Sequence, residues 1–291
     1  MHRTAILNGF GRSLGDSIIG LQALHIALRS GALAPDPTLF RLPGFPRIIE
    51  DVYSAAADFV SVSELSWKYE RPDSLPFLPF SKLIDLRDFA FDPRFRGVHM
   101  IDYFLEKLGV APAAIKPGDK RLSWLQERIP RRSVGAGYVL VCPFASVGLR
   151  QMPKVIHDTI LDWCDRNVAR PVLTQARLSP ASTLAELTEL VAEAAIVVST
   201  DTSMVHLSDA YSVPCLAFFT THPPEMRSRY YPHCHAFRLK PALPEALEFP
   251  RGANDYHNAF SAWFPDGSNF DWLIDLLAST VIPILQRTPC R

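Results

Sequence analysis

Three stretches of this chain bring acidic, basic and hydroxyl side chains to places where backbone N–H groups also converge. In the first, Ala195 to Thr200 reads as a buried strand that delivers Asp201 and Thr202 at its carboxyl end, and Ser203 opens a helix carrying Met204 and His206. The first N–H groups of a helix have no partner inside it and carry the positive end of its dipole, so such a junction is a ready phosphate site. His206, about one turn in, adds a donor towards a diphosphate. Taken alone, the same residues also read as an ordinary capped helix with a half-buried histidine.

The second stretch is the glycine-containing loop Gly9-Phe10-Gly11-Arg12-Ser13-Leu14-Gly15-Asp16-Ser17 after the apolar run from Thr4. Its glycines let the backbone turn closely, and Asp16 falls at a helix start, where a carboxylate serves as a good cap. The third is the loop after Tyr138 to Cys142, with Ser146 and Arg150. A cation there would neutralise phosphate charge on a leaving group. Metal chemistry has little support: His233 and His235 alternate on an extended segment and point to opposite faces, and no D-x-D is present. P-loop and G-x-S-x-G motifs are absent as well.

These loops need strands and helices to hold them. Apolar runs at Thr4 to Phe10, Thr38 to Leu42, Asp58 to Val62 and Lys82 to Leu86 predict strands, with helices over Asp16 to Leu28 and His99 to Leu108. A second series starts at Tyr138, with strands at Tyr138 to Cys142, Pro171 to Gln175, Ala195 to Thr200 and Pro214 to Thr220. Its helices fall near Val155 to Cys164, Leu184 to Ala194 and Ser203 to Tyr211. The alternation predicts α/β units with parallel sheets. Residues 1–115 and 137–265 form two Rossmann-like domains, 116–136 a Pro-rich and charged connection, and 266–291 a closing helix. From Pro241 to Asn269 no period emerges, and a long loop is expected.

Bulk composition narrows the partners. Thirty Lys and Arg balance thirty Asp and Glu, so no global field draws the chain to nucleic acid. Five cysteines without C-x-x-C spacing read as reduced core thiols of a cytoplasmic chain. No run reaches the roughly 18 apolar residues of a membrane span, and the N-terminal run is too short for a signal peptide. Peripheral contact with a membrane surface is compatible with this composition.

Asp201, Thr202, His206, Ala210 and Pro214 stand in the register of D-T-G-x-x-H-x-x-x-A followed by Pro and an apolar strand, with Ser203 where Gly is preferred. In this the chain resembles glycosyltransferase family 9, the bacterial heptosyltransferases. Gly15-Asp16 resembles that family's amino-terminal G-D motif, and the loop from Pro143 to Pro153 its H-P-G-A-S loop, with Arg150 where Lys is usual. Phe219 to Pro224 corresponds to a G-P-T-x-P turn from which the Gly-Pro pair is missing.

The resemblance implies a GT-B fold, two Rossmann-like domains facing across a cleft, and an inverting, metal-independent transfer with no cofactor beyond the nucleotide-diphosphate sugar. Asp16 would be the catalytic base, with Gly15 and Ser17 on the acceptor-side loop. Ser146, Arg150, Asp201, Thr202, Ser203, Met204 and His206 would hold the donor. Gln175 is the nearest polar residue where the family carries an acidic, nucleoside-binding one. The acceptor would be a glycan or glycolipid, as in lipopolysaccharide biosynthesis. A nucleotide-sugar epimerase and a non-catalytic nucleotide-sugar-binding protein are the alternatives on the same fold.

Overall fold

The computed structural model describes residues 3–7, 10–65, 80–95, 97–130, 137–239, 264 and 268–287. They cluster into two compact units, Met1–Pro130 with Leu178–Leu187, and Arg131–Arg177 with Thr188–Arg291. The expected loop from Pro241 to Asn269 falls almost wholly outside the described residues.

The first unit holds β1 (Thr4–Leu7), β2 (Thr38–Arg41), β3 (Ser61–Glu64) and β4 (Lys82–Asp85), all parallel in the order β3-β2-β1-β4. β1 is buried at every residue, as a parallel strand covered on both faces must be. β3 starts three residues later than its apolar pattern predicts, because Phe59 and Val60 still donate to the Ala56 carbonyl at 3.1 and 3.2 Å.

Helix α1 (Leu14–Arg29) follows β1, α2 (Arg47–Ala55) follows β2, and α3 (Met100–Lys107) follows β4. The sequence reading did not anticipate α2, although Ile48, Ile49, Val52 and Tyr53 bury one face of it. Gly20 of α1 has a packing reason: a Cβ there would fall 1.9 Å from Phe10 Cγ. The Phe10 ring thereby lies flush on the helix and meets Phe104 edge-on at 5.1 Å.

Part of the stretch expected as an interdomain connection folds with the first unit. Residues Pro117–Lys120 form a 3-10 turn and Ser123–Arg128 form α4. Gln22 Nε2 donates to the Asp119 carbonyl at 2.9 Å, and Lys120 Nζ is buried against Asp102 Oδ1 at 2.6 Å. Trp124 and Leu125 are wholly buried. Two apolar anchors are outnumbered by charges in this segment, so its composition hides its docking.

The second unit holds β5 (Tyr138–Cys142), β6 (Val172–Thr174), β7 (Ala194–Thr200), β8 (Cys215–Phe219) and β9 (Cys234–Arg238) in the parallel order β6-β5-β7-β8-β9. Helices α5 (Lys154–Asn167), α6 (Leu184–Ala192), α7 (Ser203–Ala210) and α8 (Glu225–Ser228) alternate with these strands in the chain, α6 clustering with the first unit up to Leu187, and α9 (Asp271–Arg287) closes the described chain. Leu273, Leu277 and Val281 recur every fourth residue along α9 and pack into one core with Ile156 and Ile160 of α5 and Ile196 and Val198 of β7. Cys142, Cys164, Cys215 and Cys234 are unbridged. No helix among the described residues is long and apolar enough to cross a membrane.

Candidate functional site

In the second unit the strand order reverses direction between β5 and β7, with β6 on one side and β8 on the other. Ligands of such sheets bind outside the carboxyl ends of the strands at this switch point, because the two flanking loops diverge there. The loops concerned are the one after β5, which carries Ser146 and Arg150, and the one after β7, which carries Asp201 and Thr202.

Two threonines fix the first of these loops. Thr200 Oγ1 at the end of β7 donates to the Arg150 carbonyl, and Thr220 Oγ1 after β8 donates to the Leu149 carbonyl at 2.7 Å. Met152 N–H closes the loop on the Pro143 carbonyl at 2.9 Å. The Arg150 backbone is thus tied to the sheet while its side chain keeps 20% of its surface exposed.

Asp201 is buried and faces cations. His222 Nδ1, in the turn after β8, lies 3.1 Å from Asp201 Oδ2, and Arg150 Nη1 lies 3.9 Å from the same oxygen. Oδ2 accepts no well-directed hydrogen bond, so charge and distance set these contacts. Burial by itself would raise the carboxyl pKa. The imidazole of His222 and the guanidiniums of Arg150 and Arg227 outweigh burial and hold Asp201 well below the usual carboxylate range. Arg227, on α8, is itself buried. Arg150 therefore stands near this carboxylate and Arg227 acts on it electrostatically, beside the positive end of α7.

Thr202 caps α7: its backbone is extended and its Oγ1 accepts from Met204 N–H at 3.2 Å. That satisfies one of the N–H groups expected to meet phosphate, and the Met204 side chain is buried, so Ser203 is left at the helix entrance. His206 is buried with Nδ1 2.8 Å from the Tyr231 hydroxyl. Burial pushes its pKa down to about 4, ahead of the opposing pull of Asp201, so His206 is neutral near pH 7. It can act towards an anion as an N–H donor and not as a charge. Gln175 follows β6, buried, with its N–H on the Val141 carbonyl at 2.8 Å and its Oε1 without a hydrogen-bond partner among the described residues. Ser146 is exposed.

In the first unit the switch point lies between β1 and β4, and the glycine-containing loop follows β1. Gly11 has φ of 79°, a left-handed conformation in which a side chain is strained, and a Cβ there would also press on the Phe89 ring at 3.0 Å. Ser13, and not Asp16, is the cap of α1: its Oγ accepts from Asp16 N–H at 3.1 Å. The Asp16 carboxylate sits in the first turn, half-buried. Ser17 is wholly buried, its Oγ 3.4 Å from the Tyr53 hydroxyl, which also accepts from Phe10 N–H at 3.3 Å. Ser17 and Tyr53 therefore hold the loop from beneath. Gly15 is half-buried beside Asp16.

Sequence reasoning missed His222, Arg227 and Tyr231. His222 stands where the expected turn loses its Gly-Pro pair, a departure that signalled a local change without its purpose. Arg227 and Tyr231 belong to no motif. Among the described residues, no group of three or more His, Cys, Asp or Glu side chains is placed to hold a metal ion.

Comparison with known proteins agrees with this geometry. The family model of glycosyltransferase family 9 (heptosyltransferase) matches residues 157–248, a span that includes the junction of β7 with α7. No curated protein sequence matches the chain. Among solved structures, E. coli heptosyltransferase WaaC with ADP aligns over 90% of this chain and 99% of its own, at TM-score 0.55 and 15% identity. The iron-containing dodecameric glycosyltransferase TibC from enterotoxigenic E. coli H10407 aligns over 98% of this chain and 75% of its own, at TM-score 0.60 and 15% identity. A family 9 glycosyl transferase from Veillonella parvula DSM 2008 aligns over 98% and 97%, at TM-score 0.53 and 14% identity. Those likenesses establish the GT-B fold, with its two parallel α/β sheets. This chain is similar to glycosyltransferase family 9 (heptosyltransferase) by sequence over residues 157–248, and shares its fold with these solved structures over nearly its whole length.

Proposed function

We propose that the protein transfers a heptose-like sugar from a nucleoside-diphosphate sugar to a hydroxyl of a glycan or glycolipid acceptor, with inversion at the anomeric carbon and without a metal ion. The observation that carries this reading is Arg150 in the loop after β5, 3.9 Å from Asp201 at the end of β7 and beside the entrance to α7, with Arg227 of α8 adding positive potential to the same carboxylate. Asp16 takes the acceptor proton, the hydroxyl oxygen attacks the anomeric carbon, and the nucleoside diphosphate departs with its charge met by Arg150 and the Ser203 end of α7. His206 adds an N–H donor, Asp201 and Thr202 hold the site's shape, and Met204 packs beneath it. Gln175 and Ser146 line the nucleoside side.

An adenosine diphosphate donor is favoured by the E. coli WaaC structures with ADP and with ADP-2-deoxy-2-fluoro heptose. The acceptor is of the lipopolysaccharide type, and the reduced cysteines suit work in the cytoplasm, at the inner membrane. The test is transfer from ADP-heptose and other nucleoside-diphosphate sugars to core glycans, followed by mass spectrometry, for the parent chain and for Asp16→Asn. The variant is expected to lose about 10²–10⁴-fold in turnover, the worth of a general base. Its melting temperature should barely change, because Ser13 caps the helix. Full activity in Asp16→Asn would remove Asp16 as the base. Sugar isomerisation without an acceptor, or nucleotide binding without turnover, would overturn the transferase reading.

A further inference from the structure

We propose that Phe144 and Arg177 form the platform for the donor's nucleobase, the Arg177 guanidinium packed on the Phe144 ring and the base stacked on the guanidinium. The inference rests on the donor reading above and concerns the donor's base, not its phosphates. Phe144 lies in the loop after β5 that also carries Ser146 and Arg150, and Arg177 in the segment after β6. The guanidinium carbon stands over the Phe144 ring, 4.7 Å from its centroid, well inside the reach of a cation–π contact. Arg177 Nη2 also donates to Gln151 Oε1 at 3.0 Å. A planar group held against a ring and by an amide is fixed in place before a ligand arrives, and guanidinium planes are surfaces on which nucleobases stack.

The place of this pair in the sheet fits a nucleoside. From a diphosphate at the entrance to α7, the rest of the nucleotide runs along the carboxyl edge of the sheet either past β8 or past β5 towards β6. The β8 side is closed by the chain itself, since Thr220, Thr221 and His222 are buried. On the β6 side Arg177 is exposed and Phe144 half-buried, so a ligand can reach them. Two residues before Arg177, Gln175 is buried with its Oε1 lacking a hydrogen-bond partner among the described residues. A buried acceptor of this kind calls for a donor, and a ribose hydroxyl or a base amino group supplies one. Phe144 also stands where the H-P-G-A-S loop of the resembling family has glycine, so the ring that backs the guanidinium is this chain's own departure from that pattern.

The test is calorimetric affinity on the full chain for ADP, UDP, GDP and CDP, and for inorganic pyrophosphate by competition with the tightest of them. The proteins are the parent, Arg177→Ala, Arg177→Lys, Phe144→Leu, and Arg177→Ala combined with Phe144→Leu. Arg177→Ala is expected to bind the nucleotide about tenfold more weakly, the scale of stacking a base on an aromatic or cationic plane. Its pyrophosphate affinity should not change, because pyrophosphate has no base. Lys keeps the charge and loses the plane, so Arg177→Lys should bind the nucleotide as weakly as Arg177→Ala. Phe144→Leu should weaken binding in the parent and change it little in the Arg177→Ala background, because the ring acts by holding the guanidinium. Unchanged nucleotide affinity in Arg177→Ala, parental affinity in Arg177→Lys, or a pyrophosphate affinity that falls with the nucleotide's overturns the platform. An equal effect of Phe144→Leu in both backgrounds does so too. In each of these cases the parent still binds a nucleotide and the donor reading stands, whereas a parent that binds none of the four overturns both. Where pyrophosphate does not compete, the comparison of Arg177→Lys with Arg177→Ala decides.

Discussion

His206 sits one turn into α7 with its Nδ1 on the Tyr231 hydroxyl, and burial pushes its pKa down to about 4. In the unfolded chain a histidine titrates near pH 6.5. Between those values the unfolded state binds the extra proton and the folded state does not, so acidification from about pH 6.5 to about 4 removes stability, up to about 3 kcal/mol from this residue. Asp201 acts in the same direction in a lower window. Its folded pKa is depressed, so its stabilisation is present above the unfolded carboxylate value near 3.9 and fades as pH falls below it. His206→Gln should therefore flatten the fall in melting temperature between pH 6.5 and 4 without touching the loss below that range. Half-buried His25 and His157 also have lowered pKa values, chiefly from burial, and add a slope of the same sign to both proteins. An unchanged slope in the variant would mean that His206 does not stay neutral. On the proposed reading, the same neutrality limits His206 to an N–H donor towards a diphosphate and leaves the charge to Arg150.

Helix α1 contains a glycine that helix propensity alone would replace, since Ala is preferred over Gly in a helix interior by about 1 kcal/mol. Here a Cβ would fall 1.9 Å from Phe10 Cγ, and the ring has Phe104 on its other side. Gly20→Ala is expected to lower stability by about 1–3 kcal/mol, the usual cost of overpacking. Turnover should fall with it, because Phe10 belongs to the loop that carries Asp16; denaturant unfolding and a transfer assay read the two effects. A rise in stability would show that Phe10 does not pack on α1. The loop after β5 makes the complementary case. Thr220→Val keeps the side-chain shape but removes the donor to the Leu149 carbonyl, leaving a buried acceptor unpaired at about 1–3 kcal/mol. Nucleotide affinity should fall along with unfolding stability, since the next residue is Arg150. Lost stability with unchanged affinity would disconnect this threonine from the site.

The residues proposed to meet the donor, Arg150, Ser203 and His206, belong to the second compact unit, and Asp16 to the first. A nucleoside diphosphate is therefore expected to stabilise the second unit directly. At a hundred times its Kd it would add about 2.7 kcal/mol. If calorimetric melting resolves two transitions, that ligand should raise one of them by several degrees, and an unshifted trace at saturating ligand would contradict the donor site. Much of this organisation is legible in the sequence. Parallel strands covered on both faces must be apolar at nearly every residue, so Val139 to Val141, Ile196 to Val198 and Leu216 to Phe219 announce themselves, and the strand-to-helix junctions that carry Asp16 and Asp201 follow from them. Short-range chemistry of this kind depends on residues a few positions apart, which one segment records. Other features depend on partners far along the chain. Docking of α4 onto the first unit needs buried contacts made by Trp124, and β9 takes its register from β8. Asp201 meets Arg150 and His222 only because the sheet places the ends of β5, β7 and β8 side by side. The sequence by itself determined the fold class and the loops where chemistry would occur. Only the tertiary structure decided that Ser13 caps α1, that His206 is neutral, and that Asp201 turns inward to cations, because burial and charge pairing are set by neighbours in space that no local pattern encodes.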